Sequence, residues 1–288
     1  MHARALARSD VGMNRWTRIV CWGLRLQAVA FSWGALGCAA GPPIDSRYYP
    51  AKAQNSRVQF IVLHYTNEDL DSSVRILTER DVSAHYLVSD GDPPRIYRLV
   101  DESRRAWHAG SDASWRGATQ INASSIGIEI VNRGDQKGPD GVTQFAPYPD
   151  VQIDLLIELV RDIARRHAVP PNRIVGHSDV APQRKIDPGP LFPWQRLAAA
   201  GLIPWPDAAS VQAQRALFDT QPPDAAWYQQ RLSSVGYRVP DSGQFDEPTR
   251  RVLAAFQMRH RPSRYDGLPD SETAALLAVL SAGVAPRD

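Results

Sequence analysis

Residues 58–64 read VQFIVLH, a nearly continuous apolar run rich in β-branched residues that ends in His64. Such a run predicts a strand buried on both faces of a sheet. Similar patterns bounded by turn residues predict further strands over residues 83–89, 95–100, 125–132 and 173–177. The first two of these should form a hairpin, because a Gly- and Pro-rich turn separates them.

The strand predicted over residues 125–132 carries a carboxylate inside the sheet. Its period of two places Glu129 on the face opposite Ile126, Ile128 and Ile130. Residues 150–168 have apolar side chains at roughly helical spacing and precede two prolines, which predicts a helix covering the sheet. Strands mixed with helices indicate an α/β domain, with a mixed central sheet flanked by helices.

A smaller helical domain is predicted after the sheet domain, which we place at residues 57–205. Residues 206–222 are rich in Ala, Gln and Pro and are interpreted as a linker. Three helices are then predicted over residues 225–235, 247–260 and 270–280, within a domain spanning 223–285.

The N-terminal residues 1–38 have the pattern of a bacterial lipoprotein signal. Arginines precede a mostly apolar run that is too short to span a bilayer and ends in Ala35-Leu36-Gly37-Cys38. Cys38 is followed by Ala39 rather than Asp, and by resemblance to Gram-negative lipoproteins this implies a lipidated outer-membrane protein facing the periplasm, with residues 39–56 as a tether. An uncleaved anchor or a secreted protein with an incidental Cys38 are the alternatives, and Met13 is an alternative start.

The charge balance argues against a nucleic-acid partner. The chain has 33 Lys and Arg against 31 Asp and Glu among its 288 residues, a net charge of +2. No basic block interleaves with aromatic residues, as nucleic-acid binding would require.

Residues 176–190, GHSDVAPQRKIDPGP, bring together His177, Lys185 and Asp187. Imidazole and carboxylate are good zinc ligands, and a catalytic zinc needs three protein ligands with one open position. His64 also ends an apolar strand and is the candidate third ligand. The remaining histidines are expected to serve other purposes: His85 and His108 as hydrogen-bonded structural residues, and His2, His167 and His260 as solvated ones.

Several motifs together resemble the zinc-dependent N-acetylmuramoyl-L-alanine amidase family, which shares its fold with peptidoglycan recognition proteins. They are VQFIVLHYT (58–66), VSAHYLV (82–88), HAG (108–110), SWRG (114–117), Asn122, SIGIE (125–129) and the 176–190 segment. They occur in the family's order, cover residues 57 to about 205, and are most similar to the AmiD-type outer-membrane lipoprotein branch.

The resemblance implies a Zn²⁺ held by His64, His177 and Asp187. It also implies that Glu129 is the general base and then the general acid, while Lys185 stabilises the oxyanion. The phage-lysozyme-type relatives carry a catalytic tyrosine where this chain has Ala84, so that residue is not used here.

Three further residues are expected to contact substrate: Tyr65, Trp115 against the sugar, and Arg116 against a stem-peptide carboxylate. The C-terminal residues 227–280 resemble a three-helix peptidoglycan-binding domain, the alternative being a helical cap packed on the first domain. The expected function is hydrolysis of the amide between N-acetylmuramic acid and L-alanine in peptidoglycan or its fragments. A non-catalytic peptidoglycan receptor and a cytoplasmic recycling amidase are the rivals.

Overall fold

The computed structural model describes residues 42–45, 47, 49 and 51–282. The predicted signal, Cys38 and part of the tether lie outside these residues. The chain divides into two compact units, residues 1–52 and 53–288, and the second contains every element discussed below. Among the described residues, no helix is both long enough and apolar enough to cross a membrane.

A five-stranded mixed sheet forms the centre of the second unit. In chain order its strands are β1 (Phe60–Tyr65), β2 (Tyr86–Val88), β3 (Ile96–Arg98), β4 (Ser125–Ile130) and β7 (Ile174–Gly176). They lie in the order β3-β2-β4-β1-β7, and only the β2–β3 pair is antiparallel. The predicted strands and hairpin are confirmed, with shorter strands than the sequence indicated.

Helices and a small hairpin surround this sheet. The helices of this part are α1 (Leu70–Glu79), α2 (Ile121–Ser124), α3 (Asp150–His167), α4 (His177–Val180) and α5 (Trp194–Ala199). A separate two-stranded hairpin consists of β5 (Asp135–Lys137) and β6 (Thr143–Phe145). The predicted fold class, a mixed sheet flanked by helices, is therefore confirmed.

The long helix α3 covers one face of the sheet. Its buried residues Ile153, Leu156 and Val160 share a hydrophobic cluster with Ile61 and Leu63 of β1, together with the three isoleucines of β4. The alternation of β4 puts those isoleucines on this face and leaves the intervening residues for the opposite one.

In the part of the chain that the structure describes, up to residue 282, four helices follow the sheet domain: α6 (Ala208–Phe218), α7 (Ala225–Val235), α8 (Glu247–His260) and α9 (Ser271–Ala282). The last three were predicted. Helix α6 lies in the segment interpreted as a linker, which is a correction. Asp207 caps it by accepting a hydrogen bond from the Ser210 amide, and its apolar Val211 and Phe218 pack against the C-terminal core. This segment has few apolar residues, so its sequence periodicity did not indicate a helix.

These C-terminal helices cover the other face of the sheet. Phe60 and Val62 of β1 belong to one cluster with Tyr237, Val252 and Phe256. We call this the site face, because His64 continues the same alternation at the carboxyl end of β1. The sheet and the C-terminal helices thus share a continuous hydrophobic core.

Candidate metal centre

Two histidines at the carboxyl ends of neighbouring strands meet at one edge of the sheet: His64 is the last but one residue of β1, and His177 directly follows β7. β1 and β7 are parallel, with Leu63 opposite Gly176, so His64 and the following His177 lie side by side. Their Nδ1 atoms are 2.9 Å apart, and Asp187 Oδ2 lies 3.2 Å from His64 Nδ1 and 3.0 Å from His177 Nδ1. All three side chains are buried. The described part of the chain therefore contains a three-residue group able to hold a metal ion.

The tautomer of His64 follows from a hydrogen-bond chain behind it. Ser125 Oγ donates its only proton to the carbonyl of Ile121, so it must accept from His108 Nε2. His108 Nδ1 is then an acceptor and receives the proton of His64 Nε2, 3.0 Å away. His64 is left with an unprotonated Nδ1 facing the centre.

The tautomer of His177 follows from a single contact. Its Nε2 lies 3.4 Å from the carbonyl oxygen of Ala109, which can only accept. In the neutral imidazole, this leaves Nδ1 of His177 with a lone pair as well. Burial, followed by the charge of neighbouring His177, lowers the pKa of His64 to about 4. Two imidazole nitrogens and a carboxylate oxygen converge without a proton between them, an arrangement that a cation stabilises.

Strand β4 supplies the site face with three small or acidic residues at alternate positions. Ser125 ends the hydrogen-bond chain, and Gly127 leaves room for His108, since a Cβ at Gly127 would lie 2.4 Å from the ring of His108. Glu129 pairs in register with His64. The SIGIE sequence thus positions both the ring that orients His64 and the carboxylate beside it.

Glu129 is largely buried, with 14% of its side chain exposed, and its carboxylate lacks a full set of partners among the described residues. Its Oε1 lies 4.0 Å from His64 Nδ1, and its Oε2 has no hydrogen-bond partner among the described residues. Burial, followed by repulsion from Asp187, raises the pKa of Glu129 well above its ordinary value. A carboxylate in this state can accept a proton near neutral pH and release it again.

A groove of about 480 Å³ opens at this edge and gives access to the site. Glu129, Lys185 and Tyr65 all line it. Lys185 is anchored through its backbone N–H to the carbonyl of Ala181, and it forms no ion pair with Glu129 within the described ranges. Tyr65 donates a hydrogen bond of 2.9 Å from its hydroxyl to Asp135 of the hairpin.

Comparisons with known proteins agree with this geometry. Residues 54–190 match the family described as N-acetylmuramoyl-L-alanine amidase, and residues 221–277 match a putative peptidoglycan binding domain. The chain is 45% identical over 277 residues to the N-acetylmuramoyl-L-alanine amidase AmiD of Escherichia coli, an alignment covering 93% of this chain and 98% of that protein. The chain belongs to the N-acetylmuramoyl-L-alanine amidase family.

Solved structures of the family extend the similarity to the fold. The structure of E. coli AmiD in complex with anhydro-N-acetylmuramic acid-L-Ala-D-gamma-Glu-L-Lys has a TM-score of 0.75 and 45% identity, covering 83% of this chain and 94% of that one. AMPDH3 from Pseudomonas aeruginosa in complex with anhydromuramic pentapeptide has a TM-score of 0.77 at 40% identity, covering 83% and 98%.

Two residues expected to contact substrate lie elsewhere. Trp115 is buried and donates from Nε1 to the carbonyl of Asn172, with its ring edge-on to Tyr237. Arg116 donates to the carbonyl of Val235. Both residues hold the C-terminal helices against the sheet domain, and neither lines the groove. A tryptophan and an arginine were expected to contact sugar and carboxylate, but the same side chains also suit an interface between domains.

A different tryptophan does line the groove. Trp107 is 54% exposed, and the guanidinium of Arg105 stacks on its ring at 3.7 Å. Sequence reasoning missed it, although it directly precedes the HAG motif. Its half-exposed ring, which lines the groove beside the metal centre, is suited to contact a ligand.

The hydrogen-bonding roles expected for His85 and His108 are confirmed: His85 accepts from the Gly127 amide, and His108 orients His64. The solvated roles expected of two others are corrected. His167 binds Glu102 at 2.7 Å. His260 lies between the rings of Trp205 and Phe256, because the C-terminal core closes around the end of α8.

Proposed function

We propose that this protein hydrolyses the amide bond between the lactyl group of N-acetylmuramic acid and the L-alanine of the stem peptide, in peptidoglycan or its fragments. The observation that carries the proposal is the convergence of His64 Nδ1, His177 Nδ1 and Asp187 Oδ2 beside the largely buried Glu129, whose Oε2 has no hydrogen-bond partner in the described part of the chain. Family membership makes amide hydrolysis the expected chemistry, and the relatives with solved complexes hold anhydromuramyl peptides.

The donor set fits Zn²⁺. Two neutral imidazoles and one carboxylate leave an open position toward the groove, as a catalytic zinc requires. Bound there, zinc would supply a Lewis acid that polarises the substrate carbonyl and acidifies water. His64, His177 and Asp187 would hold it, and the His108–Ser125 chain would keep His64 in the tautomer that can bind it.

Glu129 moves the proton. With its pKa raised by burial, it accepts a proton from the attacking water and returns it to the departing alanine nitrogen. Lys185, on the same groove, supplies positive charge where the carbonyl oxygen becomes negative. Tyr65 is positioned to contact the substrate, since its ring lines the groove while its hydroxyl is held by Asp135.

The working location and the second domain are part of the same proposal. Lipidation of Cys38 would tether the catalytic domain, assigned to residues 57–205, to the outer membrane on the periplasmic side, where its substrate lies. Labelled palmitate should be incorporated into the wild-type protein and not into Cys38→Ser. Wild-type protein that incorporates no label would contradict this anchor. Residues 223–285 would bind peptidoglycan, as the description of the matched domain suggests.

Mass spectrometry of peptidoglycan digests tests the reaction. Stem peptides with a free L-alanine amine should appear with zinc-loaded protein and be absent after chelation. Cleavage within the glycan or the peptide would contradict the proposal. Digests that stay intact under all conditions, with protein that binds peptidoglycan but no zinc, would favour the non-catalytic receptor.

A further inference from the structure

The turn that carries His177 is held by a buried aspartate. Helix α4 begins at His177, and Asp179 Oδ2 accepts a 2.8 Å hydrogen bond from the backbone amide of Gly176, the residue before the helix. The amide of Ser178 donates to the backbone carbonyl of Asp187 at 2.8 Å. The positions of His177 and Asp187 are therefore both fixed by this one turn.

The groups that hold Asp179 in place come from the C-terminal helices. Arg259 of α8 donates to Asp179 Oδ2 at 2.6 Å, and the hydroxyl of Tyr237, just after α7, donates to Oδ1 at 2.6 Å. All three side chains are buried. The hydrogen bonds of the Asp179 carboxylate thus join the turn to the C-terminal helices.

Arg259 binds residues on both sides of His177. Besides Asp179, it donates to the carbonyl of Ile174 in β7 at 3.1 Å, and its guanidinium stacks on Trp194 at 4.1 Å. One rigid, planar group thereby spans from the last strand of the sheet to the helix that follows it. This is the segment whose geometry sets where His177 Nδ1 points.

We propose that Arg259 and Tyr237 are positioning residues for the metal centre, so that the C-terminal helices are a structural part of the catalytic site as well as a peptidoglycan-binding element. The inference rests on the proposed zinc site. Arg259 acts through Asp179 on the backbone of α4, and hence on two of the three metal ligands. Loss of the arginine leaves the buried Asp179 carboxylate without its counter-charge, and the turn must rearrange to reach solvent or another donor.

Zinc affinity measured by chelator competition, at a temperature well below the melting temperature of every variant, tests this. We expect Arg259→Met to weaken zinc binding about tenfold, in the range seen when groups supporting metal ligands are lost. Tyr237→Phe removes one hydroxyl and keeps the ring, so it should fold and weaken zinc binding by a smaller factor.

Arg261→Met is the matched control. Arg261 lies on the same domain, its side chain is 7% exposed like that of Arg259, and it pairs with Asp270 at 2.8 Å within the C-terminal helices. Its loss should lower the melting temperature while leaving zinc affinity unchanged.

The outcomes separate the two proposals. Wild-type protein that binds no zinc overturns the proposed function. Wild-type protein that binds zinc, with Arg259→Met and Tyr237→Phe binding it equally well, overturns only the positioning role. Weakening by Arg261→Met equal to that by Arg259→Met would also overturn it, because a general loss of stability would then explain the effect. If Arg259→Met does not fold, Tyr237→Phe against the control decides.

Discussion

Replacing Glu129 with glutamine should make the metal-free protein more stable and the enzyme far less active. Glu129 has a raised pKa in the folded state because it is buried and lies near Asp187. A carboxylate with a folded pKa above its unfolded one favours folding only while protonated. Stability is therefore lost as pH rises from the unfolded pKa, about 4.3, toward the folded one. Glutamine has the same shape and no charge to desolvate.

The size of the effect follows from Glu129 Oε2, which has no hydrogen-bond partner within residues 51–282 or the other described positions. A buried polar group without a partner costs about 1–3 kcal/mol, and more when charged. For a domain of this size each kcal/mol corresponds to roughly 2–4 °C, so the melting temperature at pH 8 should rise by at least about 2 °C. At pH 4, below both pKa values, the carboxyl is mostly protonated in both states, so the difference should shrink toward zero.

Calorimetry of chelated wild-type protein and Glu129→Gln at pH 4 and pH 8 measures this directly. Turnover of a muropeptide, assayed with zinc restored, should fall by about 10²–10⁴-fold, the usual contribution of a general base. A variant that melts lower than wild type at pH 8 would refute the reasoning, because Glu129 would then have a stabilising partner. Full activity would place the base elsewhere.

Three further substitutions test the neighbouring groups. His108→Ala should weaken zinc binding by about 10–100-fold, because His64 loses the acceptor that fixes its tautomer. Chelator competition measures this, and an unchanged zinc affinity would contradict the prediction. Lys185→Met should lower kcat by roughly 10²–10³-fold at unchanged zinc content, and a change confined to KM would argue for binding instead. Trp107→Ala should raise KM for glycan-containing substrates with little change in melting temperature, whereas a large loss of stability would indicate a packing role.

Much of the site could be predicted because each residue carries a local signal. An apolar run followed by histidine marks a buried strand with the histidine near the sheet edge, and His64 near the end of β1 and His177 directly after β7 both fit this pattern. Alternation along β4 placed Glu129 on the face opposite the isoleucines, and the parallel register then puts it beside His64. Because the carboxyl ends of parallel strands lie at the same edge of a sheet, the two histidines are brought together by the strand order alone.

What the sequence could not predict depends on packing between distant segments. The burial of Trp115 and the partial burial of Arg116 follow from the C-terminal helices covering the site face, and nothing in the local pattern of SWRG distinguishes an interface from a recognition surface. Helix α6 likewise gains its stability by packing against α9 and carries only a weak apolar stripe of its own. The link from Arg259 to Asp179 joins residues 80 positions apart.

The most direct test of the metal centre is anomalous diffraction at the zinc absorption edge from crystals grown with zinc. A single strong peak should lie in bonding contact with Nδ1 of His64, Nδ1 of His177 and a carboxylate oxygen of Asp187, within about 2.0–2.2 Å of each. A peak bound through Nε2 of His64, or zinc held only by residues outside this group, would contradict the tautomer chain and the site built on it.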